Sequence, residues 1–146
     1  MRIAAIDNGL AFPVKHPEET SYLRSFRYGW AHLNWAKLPW QENLRQAMLA
    51  KLNSTHFVAT LCEELKILFR HDHTHNALLV HGQMRVLRGQ MWNLRHALTV
   101  GDPPVDLLRR PNVLVERRYG RNSDPPHDWA KAFRVKMTNP LNTCLT

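Results

Sequence analysis

A single carboxylate stands at the end of the first apolar run of the chain. Ile3 to Ile6 reads as a short buried strand, and it delivers Asp7 into the turn pair Asn8-Gly9. A carboxylate fixed at such a point can hold Mg²⁺ against phosphate groups and offset the charge that builds up during phosphoryl transfer. It can equally cap a hairpin turn by accepting bonds from nearby backbone. Residue type and spacing leave both roles open.

Three other groups of residues carry chemistry. The segment Tyr22 to Trp40 interleaves aromatics with cations: Tyr22, Arg24, Phe26, Arg27, Tyr28, Trp30, His32, Trp35, Lys37 and Trp40. Trp and Tyr favour the bilayer interface, and Arg and Lys favour anionic headgroups, so the composition suits a membrane surface. Trp30 and Trp35 suit the interior of the domain as well. His71-Asp72-His73-Thr74-His75, with His81 beyond, has the His spacing of a metal site on a helix. The stretch falls where one helix ends and the next begins, so a solvated connector is expected. Arg85, Arg88, Arg95 and His96 would give a basic helix able to meet nucleic acid or a membrane. Here they are expected to form the solvated face of a core helix. Neither Cys62 nor Cys144 has a neighbour that suggests nucleophilic catalysis, and two cysteines are too few for a disulfide framework. That usage fits a reduced, cytosol-facing protein.

The elements that would position these residues are mostly helical. A loop marked by Pro13 and Pro17 follows the opening strand, and Gly29 and Pro39 limit any helix in the aromatic segment. Gln41 to Leu52 places Leu44, Met48, Leu49 and Leu52 on one face. Ser54 can cap a second helix, in which Phe57, Val58, Leu61, Leu65, Leu68 and Phe69 recur at helical spacing. A third runs from about Asn76 to Leu98, with Leu79, Met84, Leu87, Met91, Leu94 and Leu98 as its buried row. Gly101 and Pro103-Pro104 end it. A short helix is expected over Val105 to Leu108, and Val113-Leu114-Val115 reads as extended. Beyond Arg117 the residues turn polar, with Pro, Gly, Asn, Ser and Asp, and read as a linker or tail.

Size and charge bound the possibilities. The 146 residues suit one domain with a modest core, and a hydrophobic share of 44% excludes a disordered tail. No apolar run approaches the roughly 20 residues that span a bilayer. The N-terminal run is too short for a signal peptide and is interrupted by Asp7. Twenty Lys and Arg against twelve Asp and Glu give a net charge of +8 and a pI near 10.1. Such a balance favours anionic partners: nucleic acid, acidic lipid or nucleotide. No nucleic-acid recognition motif is present, and no nucleic-acid partner is expected.

The run Ile3-Ala-Ala-Ile-Asp-Asn-Gly-Leu-Ala-Phe-Pro-Val-Lys-His-Pro17 closely resembles the segment that carries the metal-binding Asp in type II phosphatidylinositol 4-kinases. The likeness continues through Trp30-Ala31, Ala36-Lys37-Leu38-Pro39-Trp40, the stretch near Asn53 to Phe69, Met84 to Leu98, and Pro111 to Glu116. It covers roughly residues 2 to 117. Between Pro17 and Phe26 the pattern departs. The family has an acidic residue, Ser and Trp soon after His-Pro, whereas Glu18-Glu19-Thr20-Ser21-Tyr22-Leu23 stands here.

The resemblance implies a mainly α fold, the C-terminal lobe of a protein-kinase-like domain over residues 1–117, with one or two short strands at the N-terminus. Residues 118–146 would be a flexible tail. It implies that Asp7 binds Mg²⁺ on the ATP phosphates, that Ile6 helps floor the nucleotide pocket, and that Trp30, Trp35 and Lys37 face lipid. The intact enzyme of this family moves the γ-phosphate of ATP to the 4-hydroxyl of phosphatidylinositol. It acts as a peripheral protein on the cytosolic faces of Golgi and trans-Golgi, endosomal and plasma membranes. Such transfer also needs a phosphate-holding Lys, a covering loop and a catalytic Asp. Only six residues precede Asp7, so a fragment of a longer kinase is expected, inactive without its N-terminal lobe. The family's doubled-cysteine palmitoylation motif does not occur here. The alternative is a non-catalytic, basic helical module that binds membranes or another protein.

Overall fold

The computed structural model describes residues 29–111 and 113–137. The expected N-terminal strand lies outside them. The described part is mainly helical, as expected, and its two short strands come near the end of the chain.

Three helices form the body. Helix α1 spans Glu42–Asn53, α2 Thr55–Phe69 and α3 Ala77–Val100. Local chemistry sets their ends. The Ser54 hydroxyl accepts from Phe57 N at 3.1 Å, and Asn76 Oδ1 accepts from Leu78 N and Leu79 N at 3.0 and 3.1 Å. Each bond satisfies an amide that a helix start leaves without an internal partner. Helix α3 stops at Gly101, whose φ of 84° is left-handed and open to glycine at little cost. A 3-10 helix, Pro104–Arg109, follows.

Strand β1, Val113–Arg117, pairs antiparallel with β2, Phe133–Met137, with Val115 opposite Val135 and Arg117 opposite Phe133. A short helix α4, Trp129–Ala132, leads into β2. Helix α3 contacts α1, α2, β1 and the 3-10 helix. One core cluster joins Val58 of α2, Val113 and Val115 of β1, Trp129 and Ala132 of α4, and Phe133 of β2. A second joins Cys62 of α2 to Val80 and Met84 of α3.

The packing continues past residue 117, after which a flexible tail is expected. Residues 126–137 are built into the domain. Trp129 is buried, its indole Nε1 donates to Leu52 O at 2.9 Å, and its ring lies 4.6 Å from that of Phe133. The Thr55 hydroxyl donates to Pro126 O at 2.7 Å. The polar stretch 118–126 hid this outcome, because five residues of strand show little of a period.

The expected helical faces also need adjustment. Leu52, Val58, Met84 and Leu98 are buried as expected, but Leu44 and Leu68 are exposed. Arg88 was expected on the solvated face of α3, yet it is buried, and its Nε donates to Val115 O at 2.9 Å. That bond gives a strand carbonyl its partner and carries the cation's aliphatic stem inside.

Candidate membrane-facing surface

Two tight turns carry the aromatic and basic residues that precede α1. Gly29–His32 and Asn34–Lys37 are 3-10 turns separated by Leu33. Backbone bonds close them: Leu33 N to Trp30 O at 3.0 Å, Ala36 N to Leu33 O at 3.0 Å, and Leu38 N to Trp35 O at 3.2 Å. The tight winding turns Ala36 fully inward and leaves its neighbours outside. Trp35 is 59% exposed, Leu38 58% and Leu33 44%, and Lys37 is exposed beside them.

Sequence left Trp30 and Trp35 between core and surface, and the structure separates them. Trp30 is half-buried, while Trp35 projects outward. Leu33 and Leu38 join this surface although sequence reasoning did not single them out. Their signal lay in their places between aromatic and proline residues, where no helical face could claim them.

The surface is tied to the end of α3. Trp40 Nε1 donates to Asp102 O at 2.8 Å, and the Asp102 carboxylate is paired with Arg110. Arg45 Nε meets Glu42 Oε2 at 2.8 Å, and another guanidinium nitrogen donates to Leu98 O at 2.8 Å. A cation thereby meets a carbonyl in the last turn of α3, where the helix dipole favours positive charge. Hydrogen bonds from Arg45 and Gln46 pull the Glu42 carboxyl down from 4.5 to about 2. A hollow of about 350 Å³ lies beside this anchor, lined by Trp40, Arg45, Thr99 and Gly101 among others.

Apolar side chains grouped around one lysine can enter a membrane interface, with the ammonium left at the headgroup level. The group contains no nucleophile and no acid–base pair. Asp7 and Ile6, expected at the metal and nucleotide, lie outside the described residues. The stretch His71 to His75 forms the connection between α2 and α3, where Asp72 Oδ1 accepts from Thr74 N at 2.8 Å and Thr74 Oγ1 at 2.7 Å. Those bonds lower the Asp72 pKa, the backbone one most. Among the described residues no three His, Cys, Asp or Glu side chains stand together as metal ligands. No described helix is long and apolar enough to cross a membrane.

No family model matches the sequence. Individual relatives do. The chain is 43% identical over 117 residues to phosphatidylinositol 4-kinase type 2-beta of Gallus gallus, covering 80% of the chain and 24% of that protein. It is 45% identical over 116 residues to the type 2-beta protein of Rattus norvegicus, covering 80% of the chain and 24% of the relative. Against phosphatidylinositol 4-kinase type 2-alpha of Xenopus laevis it is 34% identical over 136 residues, 93% of the chain and 28% of the relative. The chain belongs to the type II phosphatidylinositol 4-kinase family.

The chain spans about a quarter of the length of these relatives. In this type II phosphatidylinositol 4-kinase family member, the outward group Leu33, Trp35, Lys37 and Leu38 is presented by a segment fastened to the longest helix. The match over 93% of the chain reaches past residue 117, in keeping with the packing of residues 126–137 into the domain.

Proposed function

We propose that this chain is the C-terminal-lobe part of a phosphatidylinositol 4-kinase, an enzyme that moves the γ-phosphate of ATP to the 4-hydroxyl of phosphatidylinositol. The observation that carries this reading is its identity to proteins of that name, at 43–45% over 80% of the chain. Asp7 is the Mg²⁺ ligand and Ile6 borders the nucleotide. The metal would draw charge from the phosphates as they separate. Transfer of this kind needs a phosphate-holding Lys and a catalytic Asp as well as the metal-binding carboxylate.

The outward apolar group supports contact with phosphatidylinositol-bearing membranes. Leu33, Trp35 and Leu38 enter the interface, Lys37 meets anionic headgroups, and Trp30 backs the turn from its half-buried place. The protein would act peripherally, on the cytosolic face of Golgi and trans-Golgi, endosomal or plasma membranes.

A chimera tests the catalytic part. Replacing the matching region of the Gallus gallus relative with this sequence is expected to leave a protein that phosphorylates phosphatidylinositol. Asp7→Ala in that chimera is expected to lower kcat by roughly a thousandfold or more without loss of the fold. Full activity in the Asp7→Ala protein would overturn the metal assignment. A folded but inactive parent chimera would overturn the kinase reading.

A further inference from the structure

On the side of the molecule formed by α2, α3 and β1, a cleft of about 400 Å³ gathers Lys66, Arg70, Arg85, Arg88, Arg117 and Arg121. Two carboxylates, Glu63 and Glu116, line it as well, so the cations exceed them by four charges. Each carboxylate is already shared. Glu63 holds Lys66 at 2.8 Å and Arg117 at 3.4 Å, and Glu116 holds Arg85 at 2.8 Å and Lys136 at 3.0 Å.

Donors remain after these pairs are made. Arg70 and Arg121 have no carboxylate partner among the described residues. Arg85 Nε is buried and makes no hydrogen bond among them. Arg88 reaches the cleft from inside the protein, held by its bond to Val115 O. A buried donor without a partner costs stability until something accepts from it. Gathered guanidinium groups repel one another unless an anion joins them.

From this arrangement we infer that the cleft binds a phosphate-bearing anion. Guanidinium forks match the paired oxygens of a phosphate, and such charge-assisted bonds are stronger than neutral ones. The volume is in the range of small-ligand sites. The neighbouring His81 imidazole is held below its ordinary range by burial and then by Arg88, Lys66 and Arg85. It is therefore neutral near pH 7, adding no charge of its own. The inference does not depend on the kinase reading, since none of these side chains belongs to the nucleotide or membrane contacts proposed above. The phosphate would come from a soluble compound or from a lipid headgroup, two sources with one recognising chemistry.

The test uses the full 146-residue chain. Calorimetric titration with inorganic pyrophosphate probes the soluble source, and flotation with phosphatidylcholine vesicles containing phosphatidic acid probes the lipid source. Saturable binding of at least one probe is expected. Arg70→Gln/Arg121→Gln, both exposed positions, is expected to weaken it by about tenfold or more. Arg109→Gln, a similarly exposed cation on the 3-10 helix away from the cleft, is expected to leave it unchanged. Binding of pyrophosphate assigns a soluble ligand, and binding of vesicles alone that persists in Trp35→Ala/Leu38→Ala and is weakened by Arg70→Gln/Arg121→Gln assigns a headgroup. Should the double variant misfold, the Arg85 Nε–H resonance of the unaltered chain must shift as whichever probe binds, pyrophosphate or a short-chain soluble phosphatidic acid, is added. No saturable binding of either probe, equal loss in the Arg109 variant, or a stationary Arg85 resonance would overturn the inference.

Discussion

Gly89 in α3 faces the backbone of Val113 in β1 so closely that a Cβ at position 89 would lie 1.9 Å from the Val113 carbonyl oxygen. The helix and the strand touch backbone to backbone at this point. Asn93, one turn further along α3, donates from Nδ2 to Pro111 O at 2.9 Å and helps fix the same approach. Gly89 is thus selected by its lack of a side chain, despite the helix propensity that glycine forfeits.

Gly89→Ala is therefore expected to destabilise the domain by about 3 kcal/mol, even though alanine is the better helix former. The strand backbone would have to move, and no flexible side chain can yield in its place. Urea unfolding of the two proteins measures this. A variant as stable as the parent would show that α3 and β1 do not meet so closely.

Trp129 measures how firmly the C-terminal segment is held. Its ring stacks among Phe133, Trp92 and the Arg95 guanidinium, which lies 5.3 Å from it, and its Nε1 is bonded to Leu52 O. Trp129→Ala is expected to cost roughly 3–5 kcal/mol through lost burial and the cavity left behind. A loss below about 0.5 kcal/mol, the size of a surface effect, would mean that residues 126–137 are a loose tail after all.

The outward side chains before α1 make a membrane prediction that does not require catalysis. Trp35→Ala/Leu38→Ala is expected to reduce partition into phosphatidylinositol-containing vesicles by about tenfold, with an unchanged melting temperature. Both residues are more than half exposed, so the fold does not rest on them. Lys37→Gln should instead weaken binding mainly at low salt, because its contribution is electrostatic. Equal partition of the parent and the double variant would remove this surface from the membrane contact.

Glu42 supplies a pH prediction. Its folded pKa, about 2, lies below the ordinary 4.5, so the carboxylate form is favoured by folding. The contribution is fully present above pH 4.5, declines as pH falls, and is gone once pH passes through about 2. Arg45→Met should return the Glu42 titration towards 4.5, because the hydrogen bond from Arg45 is the largest cause of the shift. Carbon-13 NMR of the side-chain carboxyl follows both proteins. Titration of Glu42 near 4.5 in the parent would refute the pairing with Arg45 in solution.

The sequence by itself determined the three main helices. Ser54, Asn76 and Gly101 mark their ends through bonds and backbone freedom that involve only residues a turn away. Family membership was legible for a similar reason, since Ile3 to Pro17 and the helical blocks are patterns of neighbouring residues. Tertiary structure decided the rest. Arg88 looks like a surface cation along α3 until β1 supplies the carbonyl of Val115, 27 residues away in sequence. Trp30 and Trp35 have the same side chain within five residues, and only the winding of the two 3-10 turns separates half-buried from exposed. The segment around Trp129 acquires its place from Leu52, 77 residues earlier, and from a strand whose partner ends at Arg117. Local bonding rules reach about four residues along a chain. Burial depends on which distant surfaces meet, and periodicity alone does not name them.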